Sequence, residues 1–192
     1  MTMYAIASVL NSDENVKIQN IWDELTFHCQ LKAVQQSPIP HFSWLTYTDV
    51  QDPDAFNESL SNWANSHAPF TVKVNGIGIF PGNTPVLYLP IVRNYALSAL
   101  HYELLSQLSP HLEGTSSLYA PDAWIPHITL AFHDLTYANL NCAITQCLKF
   151  DLSFNLYVDH IAILYLDETS FGLQRKINLT ARTENISFGG IT

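Results

Sequence analysis

Pro40-His41-Phe42-Ser43-Trp44-Leu45 and Pro126-His127-Ile128-Thr129-Leu130-Ala131 are one pattern written twice. In each copy a proline precedes a histidine, an apolar residue, a small hydroxyl residue and another apolar residue. Both stretches are rich in apolar, aromatic and hydroxyl-bearing side chains, and a proline is tolerated at a strand entry, so both read as β-strands. Side chains alternate between the faces of a strand. That alternation puts His41, Ser43, Leu45 and Tyr47 on one face and Phe42, Trp44 and Thr46 on the other. It likewise groups His127, Thr129, Ala131 and His133 opposite Ile128, Leu130 and Phe132. A base and a hydroxyl point together in each copy, with bulky apolar groups turned to the core.

Around these strands the chain alternates elements. Tyr4 to Leu10 reads as a buried strand. Glu14 to about Leu31 reads as a helix, with Ile18, Ile21, Trp22 and Leu25 on its apolar face. Ser37-Pro38-Ile39-Pro40 is an extended lead into the first histidine strand. Asp52-Pro53-Asp54 starts a second helix that ends near His67. Phe70 to Phe80 reads as one strand in which Gly76 and Gly78 mark a bulge or a close backbone approach. Val86 to Val92 is its hairpin partner across the Pro81-Gly82-Asn83 turn. Tyr95 to Leu108 is a third helix and Pro110 to Asp122 a loop that delivers the second histidine strand. Tyr137 to Leu148 is a fourth helix, and Leu152–Tyr157, Asp159–Leu166 and Gln174–Thr180 are strands. No linker or low-complexity segment interrupts residues 1–192, which implies one domain. The element order suggests a two-fold repeat: an α+β fold of two antiparallel sheets with helices outside, facing each other across a cleft.

Composition narrows the function. The chain is 47% hydrophobic and 13% charged, with a net charge of −9 and 8 Lys plus Arg. Without a basic run it has no electrostatic footprint for a long nucleic acid. A small anion held at one site is still allowed. No apolar run approaches the roughly 18 residues of a membrane span. Cys29, Cys142 and Cys147 are odd in number and form no Cys-x-x-Cys, which argues against a disulfide framework or a zinc knuckle and for a reducing, cytoplasmic setting.

Two histidines and two hydroxyls suit one chemistry. An ordinary imidazole titrates near pH 6.5, so one ring can be neutral and the other protonated at neutral pH. One takes a proton from an attacking hydroxyl while the other gives a proton to a leaving oxygen. Ser43 and Thr129 can donate to the non-bridging oxygens of an anion held between them. In-line displacement at phosphorus matches this layout and requires no metal or cofactor.

The paired His-x-Ser/Thr-x tetrads, His41-Phe42-Ser43-Trp44 and His127-Ile128-Thr129-Leu130, resemble the signatures of the 2H phosphoesterase superfamily, which includes 2′-5′ RNA ligases and cyclic nucleotide phosphodiesterases. The resemblance runs from the first strand to about Leu166. It implies a bilobal α+β fold, with His41 and His127 as the acid–base pair and Ser43 and Thr129 as phosphate ligands. It also implies hydrolysis of a 2′,3′-cyclic or related phosphate, or cleavage or ligation of 2′-5′ phosphodiester bonds. The partner would be a small nucleotide or a short RNA end, as in RNA processing, and the protein a monomer. The alternative is a catalytically silent nucleotide-binding module of the same fold. The remaining histidines lack the signature. His28, His67, His101 and His111 read as surface or satisfied core residues, His133 as a strand-end surface residue and His160 as structural.

Overall fold

Asn11 and Asp52 sit where short polar side chains end one element and begin the next, and the observed helices start beside them. The computed structural model describes residues 2–168 and 170–181. In chain order the elements are β1 (Met3–Val9), α1 (Ser12–Cys29), β2 (His41–Tyr47), β3 (Asp49–Val50) and α2 (Pro53–Ser66). Then come β4 (Phe70–Asn75), β5 (Gly78–Phe80), β6 (Val86–Pro90), α3 (Tyr95–Leu108) and β7 (Leu112–Glu113). The chain continues through β8 (His127–Ala131), α4 (Leu140–Cys147), β9 (Ser153–Val158), β10 (His160–Leu166) and β11 (Phe171–Asn178). Asp52 caps α2 by accepting from the Ala55 amide, with Pro53 in the first turn, and Asn94 caps α3 by accepting from Leu97.

Two antiparallel sheets carry the site. One has the strand order β11-β10-β1-β2 and the other β5-β6-β8. Each histidine strand is therefore the edge of its own sheet, and β2 and β8 lie against one another. The fold is α+β and bilobal, as the element order implied. Its two halves share a register: Val9 pairs with His41 and Ala7 with Ser43, while Pro90 pairs with His127 and Tyr88 with Thr129.

The expected strand from Phe70 to Phe80 breaks in two. Gly76 takes a positive φ of 84°, a backbone state that L side chains rarely adopt, and the chain turns there. β5 pairs with β6, while β4 pairs with β9 and touches the end of β6 through Val74 and Ile91. Gly78 does mark a close approach: a Cβ there would stand 2.3 Å from the Tyr88 ring.

The alternation in both histidine strands also departs from expectation. A β-bulge between Ile6 and Ala7 leaves Trp44 as the extra residue of β2, and one between Leu87 and Tyr88 leaves Leu130 as the extra residue of β8. An extra residue exchanges the faces of everything beyond it. Leu45, Tyr47 and Ala131 are thus buried, while Thr46 and Phe132 join the histidines at the cleft. His133 lies off the strand altogether, since β8 ends at Ala131 and His133 takes a φ of 63°.

Trp44, Trp63 and Trp124 are fully buried behind β2, and Trp44 packs against the other two with ring centroids 5.9 and 5.6 Å apart. Cys29 and Cys142 form a disulfide with Cα atoms 5.8 Å apart, joining the end of α1 to the start of α4. That overturns the expectation of unpaired thiols. The partners are 113 residues apart in sequence, and only the packing of α1 on α4 brings them together. With this bond in place, the cysteines no longer argue for a reducing compartment. Cys147 stays free and buried. No helix among the described residues is long and apolar enough to cross a membrane.

Candidate active site

A cleft of about 370 Å³ opens between the two sheets, and His41, Ser43, His127 and Thr129 all line it. The four residues singled out in the sequence thus meet at one opening although they come from opposite halves of the chain.

Each ring is oriented in the same way. His41 Nδ1 lies 2.6 Å from the carbonyl oxygen of Ile39, and His127 Nδ1 lies 2.7 Å from that of Ile125. A carbonyl only accepts, so each Nδ1 carries a proton and each Nε2 is left with the lone pair when the ring is neutral. The proline before each histidine lies between the ring and the carbonyl it bonds, and its fixed φ stiffens that short span. Burial holds the His41 imidazole below its ordinary 6.5, against the pull of the Ile39 carbonyl, and charge on His127 lowers it further. Burial likewise lowers His127, against the pull of the Ile125 carbonyl.

The hydroxyl residues are braced from behind by tryptophans that cross between the halves. Trp124 Nε1, just ahead of β8, donates to the Ser43 carbonyl at 3.0 Å. Trp22 Nε1, on α1, donates to the Thr129 carbonyl at 3.1 Å. Each of these carbonyls sits beside the extra residue of a bulge, where the ladder is interrupted and a carbonyl would otherwise lack its partner. His101 Nε2, on α3, donates to the carbonyl of Trp44 at 3.0 Å, and its ring stacks on Trp124 at 3.8 Å. Buried this way, His101 is lowered to about 4. Arg93 holds the same segment by donating to the carbonyls of Trp124 and Pro121.

Aromatic side chains from two hairpins cover the histidines. Phe80, beside the β5–β6 turn, meets the His127 ring edge-on with centroids 5.0 Å apart. Phe171, at the start of β11, stacks over His41 at 6.0 Å. In both hairpins a tyrosine ring folds over a glycine across the ladder, Tyr88 over Gly78 and Tyr165 over Gly172.

Sequence reasoning missed several of these residues. Tyr119 comes from the long loop before β8, and its phenol lies close enough to the Ser43 hydroxyl to be lowered by it, although burial dominates and raises it. Trp22 was legible only as part of an apolar helix face, Trp124 and Phe171 not at all. Asp134, just past β8, accepts from the amides of Lys32 and Ala33 at 2.7 and 2.8 Å and so holds the lead into β2. His133 and His160 lie outside the cleft lining; His160 is buried in β10 with its Nδ1 against Asp159.

The model of the 2′-5′ RNA ligase superfamily matches residues 14–170, a span that holds both histidine strands. This chain belongs to that superfamily. Solved structures agree on the fold. TT0787 of Thermus thermophilus superposes with a TM-score of 0.64 at 16% identity, covering 94% of this chain and 99% of that one. LigT of E. coli, complexed with 3′-AMP, gives 0.61 at 16% identity over 94% and 98% of the two chains. A structure described as a phosphoesterase gives 0.60 at 16% identity over 94% and 100%. A search of curated proteins found no match.

Proposed function

We propose that this 2′-5′ RNA ligase superfamily member is a metal-independent phosphoesterase that opens a 2′,3′-cyclic or related cyclic phosphate, or cleaves or joins 2′-5′ phosphodiester bonds. One observation carries the reading: two imidazoles, each with Nδ1 bonded to the carbonyl two residues before it, share a single cleft with two hydroxyls. The two lobes act as one catalytic unit, because each supplies one histidine. The E. coli LigT structures with 3′-AMP and with ATP make a small nucleotide a reasonable occupant of this fold.

The reaction follows from the protonation states. Burial lowers both rings and the charge of one lowers the other, so the pair holds a single proton in its working form, with one imidazole neutral and the other protonated. The Nε2 of the neutral ring takes a proton from water as the water oxygen attacks phosphorus. The opposite P–O bond breaks, and the Nε2–H of the protonated ring gives its proton to the leaving oxygen. The products are a phosphomonoester and a free hydroxyl, and proton exchange with solvent resets the pair. Ser43 and Thr129 donate to the non-bridging oxygens, where charge builds in the transition state.

The test is turnover of nucleoside 2′,3′-cyclic phosphates by the purified protein, followed by phosphorus NMR. His41→Ala and His127→Ala should each cut it by orders of magnitude while leaving the circular dichroism spectrum unchanged. Tight binding of a nucleoside monophosphate with no turnover of any cyclic phosphate or 2′-5′ linkage would favour the silent module instead.

A further inference from the structure

Resting on the phosphoesterase reading, we infer that the cleft selects a substrate bearing one phosphate charge and an apolar or aromatic body. The fitting class is a mononucleoside 2′,3′-cyclic phosphate with no second phosphate, in preference to 5′-phosphorylated nucleotides or oligonucleotide ends.

Charge and shape both point there. No Lys or Arg lines the cleft among the described residues. Four cations are engaged elsewhere. Arg93 is bonded to the Trp124 and Pro121 carbonyls and to Ser98. Lys17 lies over the Phe154 ring, Lys149 pairs with Glu24, and Arg175 is bonded to Asn57 and Ser61. The groups that can meet an anion in the cleft are thus the histidine pair and neutral hydroxyls, which suffice for the single charge of a phosphodiester. A second phosphate would be desolvated with no counter-charge, the costly way to bury an ion. The walls are apolar: Phe80, Phe132, Phe171, Val86, Leu118 and Leu164. At about 370 Å³ the cleft lies at the small end of ligand pockets, which run from about 300 to 1,000 Å³.

The same argument covers the product. Ring opening turns a monoanion into a phosphomonoester whose second ionisation falls near pH 6. Among the described residues no Lys or Arg lines the cleft to meet the added charge, so the product is held by the histidine pair alone and leaves readily. Net charge reinforces the preference, since −9 on the protein repels a polyanion at long range.

The experiment compares kcat/KM for adenosine 2′,3′-cyclic phosphate with that for the same compound carrying a 5′-phosphate, at several salt concentrations. The expected result is at least about a tenfold preference for the first, since unpaired like-charge burial readily exceeds the free energy of one decade. The rate on the doubly charged compound should rise with salt as repulsion is screened. The product 2′- or 3′-monophosphate should inhibit with a Ki above the KM of the substrate. Leu118→Arg places a cation at the rim, where Leu118 is 73% exposed, and should narrow the preference and reverse its salt dependence.

Equal or faster turnover of the 5′-phosphorylated compound, lost in His41→Ala, would overturn this inference and leave the phosphoesterase reading standing. A preference that Leu118→Arg does not change would assign discrimination to shape and also overturn it. Absence of all turnover would sink the phosphoesterase reading instead. The two compounds would then be titrated by calorimetry: tighter binding of the singly charged one supports the inference, and equal or no binding overturns it.

Discussion

The two half-sites are built alike and furnished differently. Both have a histidine whose Nδ1 meets the carbonyl two residues back, a bulge three residues after that histidine, and a tryptophan bonded to the carbonyl of the hydroxyl residue. Across the ladder, however, Ser43 faces Ala7 whereas Thr129 faces Tyr88. Tyr88 fills its side and packs on His127 at 5.1 Å. On the other side the alanine leaves room, and Tyr119, from a loop of the opposite half, lines the cleft together with Ser43. Threonine is stiff about χ1 because of its branch, while serine is not. The repeat therefore holds one hydroxyl on a stiff branched side chain packed beside a tyrosine and leaves the other on a freer serine.

The largest expected effect tests what the half-sites share. His41→Ala and His127→Ala should each lower kcat by about 10²–10⁴-fold. The double variant should be little worse than either single one, because the pair acts as a unit. Additive losses would mean that the two rings serve separate steps.

The hydroxyls come next. Ser43→Ala and Thr129→Ala should each cost about 10²–10³ in kcat, the usual loss for one oxyanion donor. A loss seen only in KM would make them ground-state ligands.

The disulfide ties down one half-site more than the other, since Trp22, which braces Thr129, rides on the helix that Cys29 terminates. Cys29→Ser/Cys142→Ser should reduce stability by about 2–4 kcal/mol, the typical range for a bridge closing a long loop. Chemical denaturation with and without reductant measures it, and equal midpoints would show that the bridge does not form in solution.

A smaller effect probes the asymmetry itself. Tyr119→Phe removes a phenol that lines the cleft with Ser43 and should lower kcat by no more than about tenfold, the scale of one modest hydrogen bond. In a Ser43→Thr background the same change should cost little, because threonine no longer depends on the neighbour. A double-mutant cycle reads the coupling, and a purely structural role for Tyr119 would leave it near zero.

The smallest shift is in pH. Both histidines lie below their ordinary 6.5 through burial. In the proposed reaction the free protein holds one proton on the pair, so kcat/KM should peak on the acid side of pH 6.5 and fall as pH rises through the upper macroscopic value. A bound anion favours the charged ring, so kcat should peak at higher pH than kcat/KM. Stability has a related sign. His101 is lowered to about 4 in the fold, so the unfolded chain takes up its proton first. Its contribution is complete above about pH 6.5 and is lost as pH falls towards 4.

Much of this could be read from residues in order. The polar start signal at Asp52-Pro53-Asp54 located α2, and the doubled His-x-Ser/Thr pattern located the two strands that meet at the candidate site, because capping and strand entry are settled within a few residues. The scarcity of cations was likewise a property of composition, and the cleft inherits it. What composition and order could not supply was anything that depends on which strand lies alongside. The bulges that bring Thr46 and Phe132 to the cleft exist only because the partner strands are one residue shorter over the same span. The Cys29–Cys142 bond, the tryptophan braces, the approach of Tyr119 to Ser43 and the cover of Phe171 over His41 all join segments far apart in sequence. Local preference acts over a turn or two of backbone, whereas these contacts form where two sheets close on each other. The chain's own order thus chose the candidate reacting groups, and the closing of the sheets decided how they are aimed.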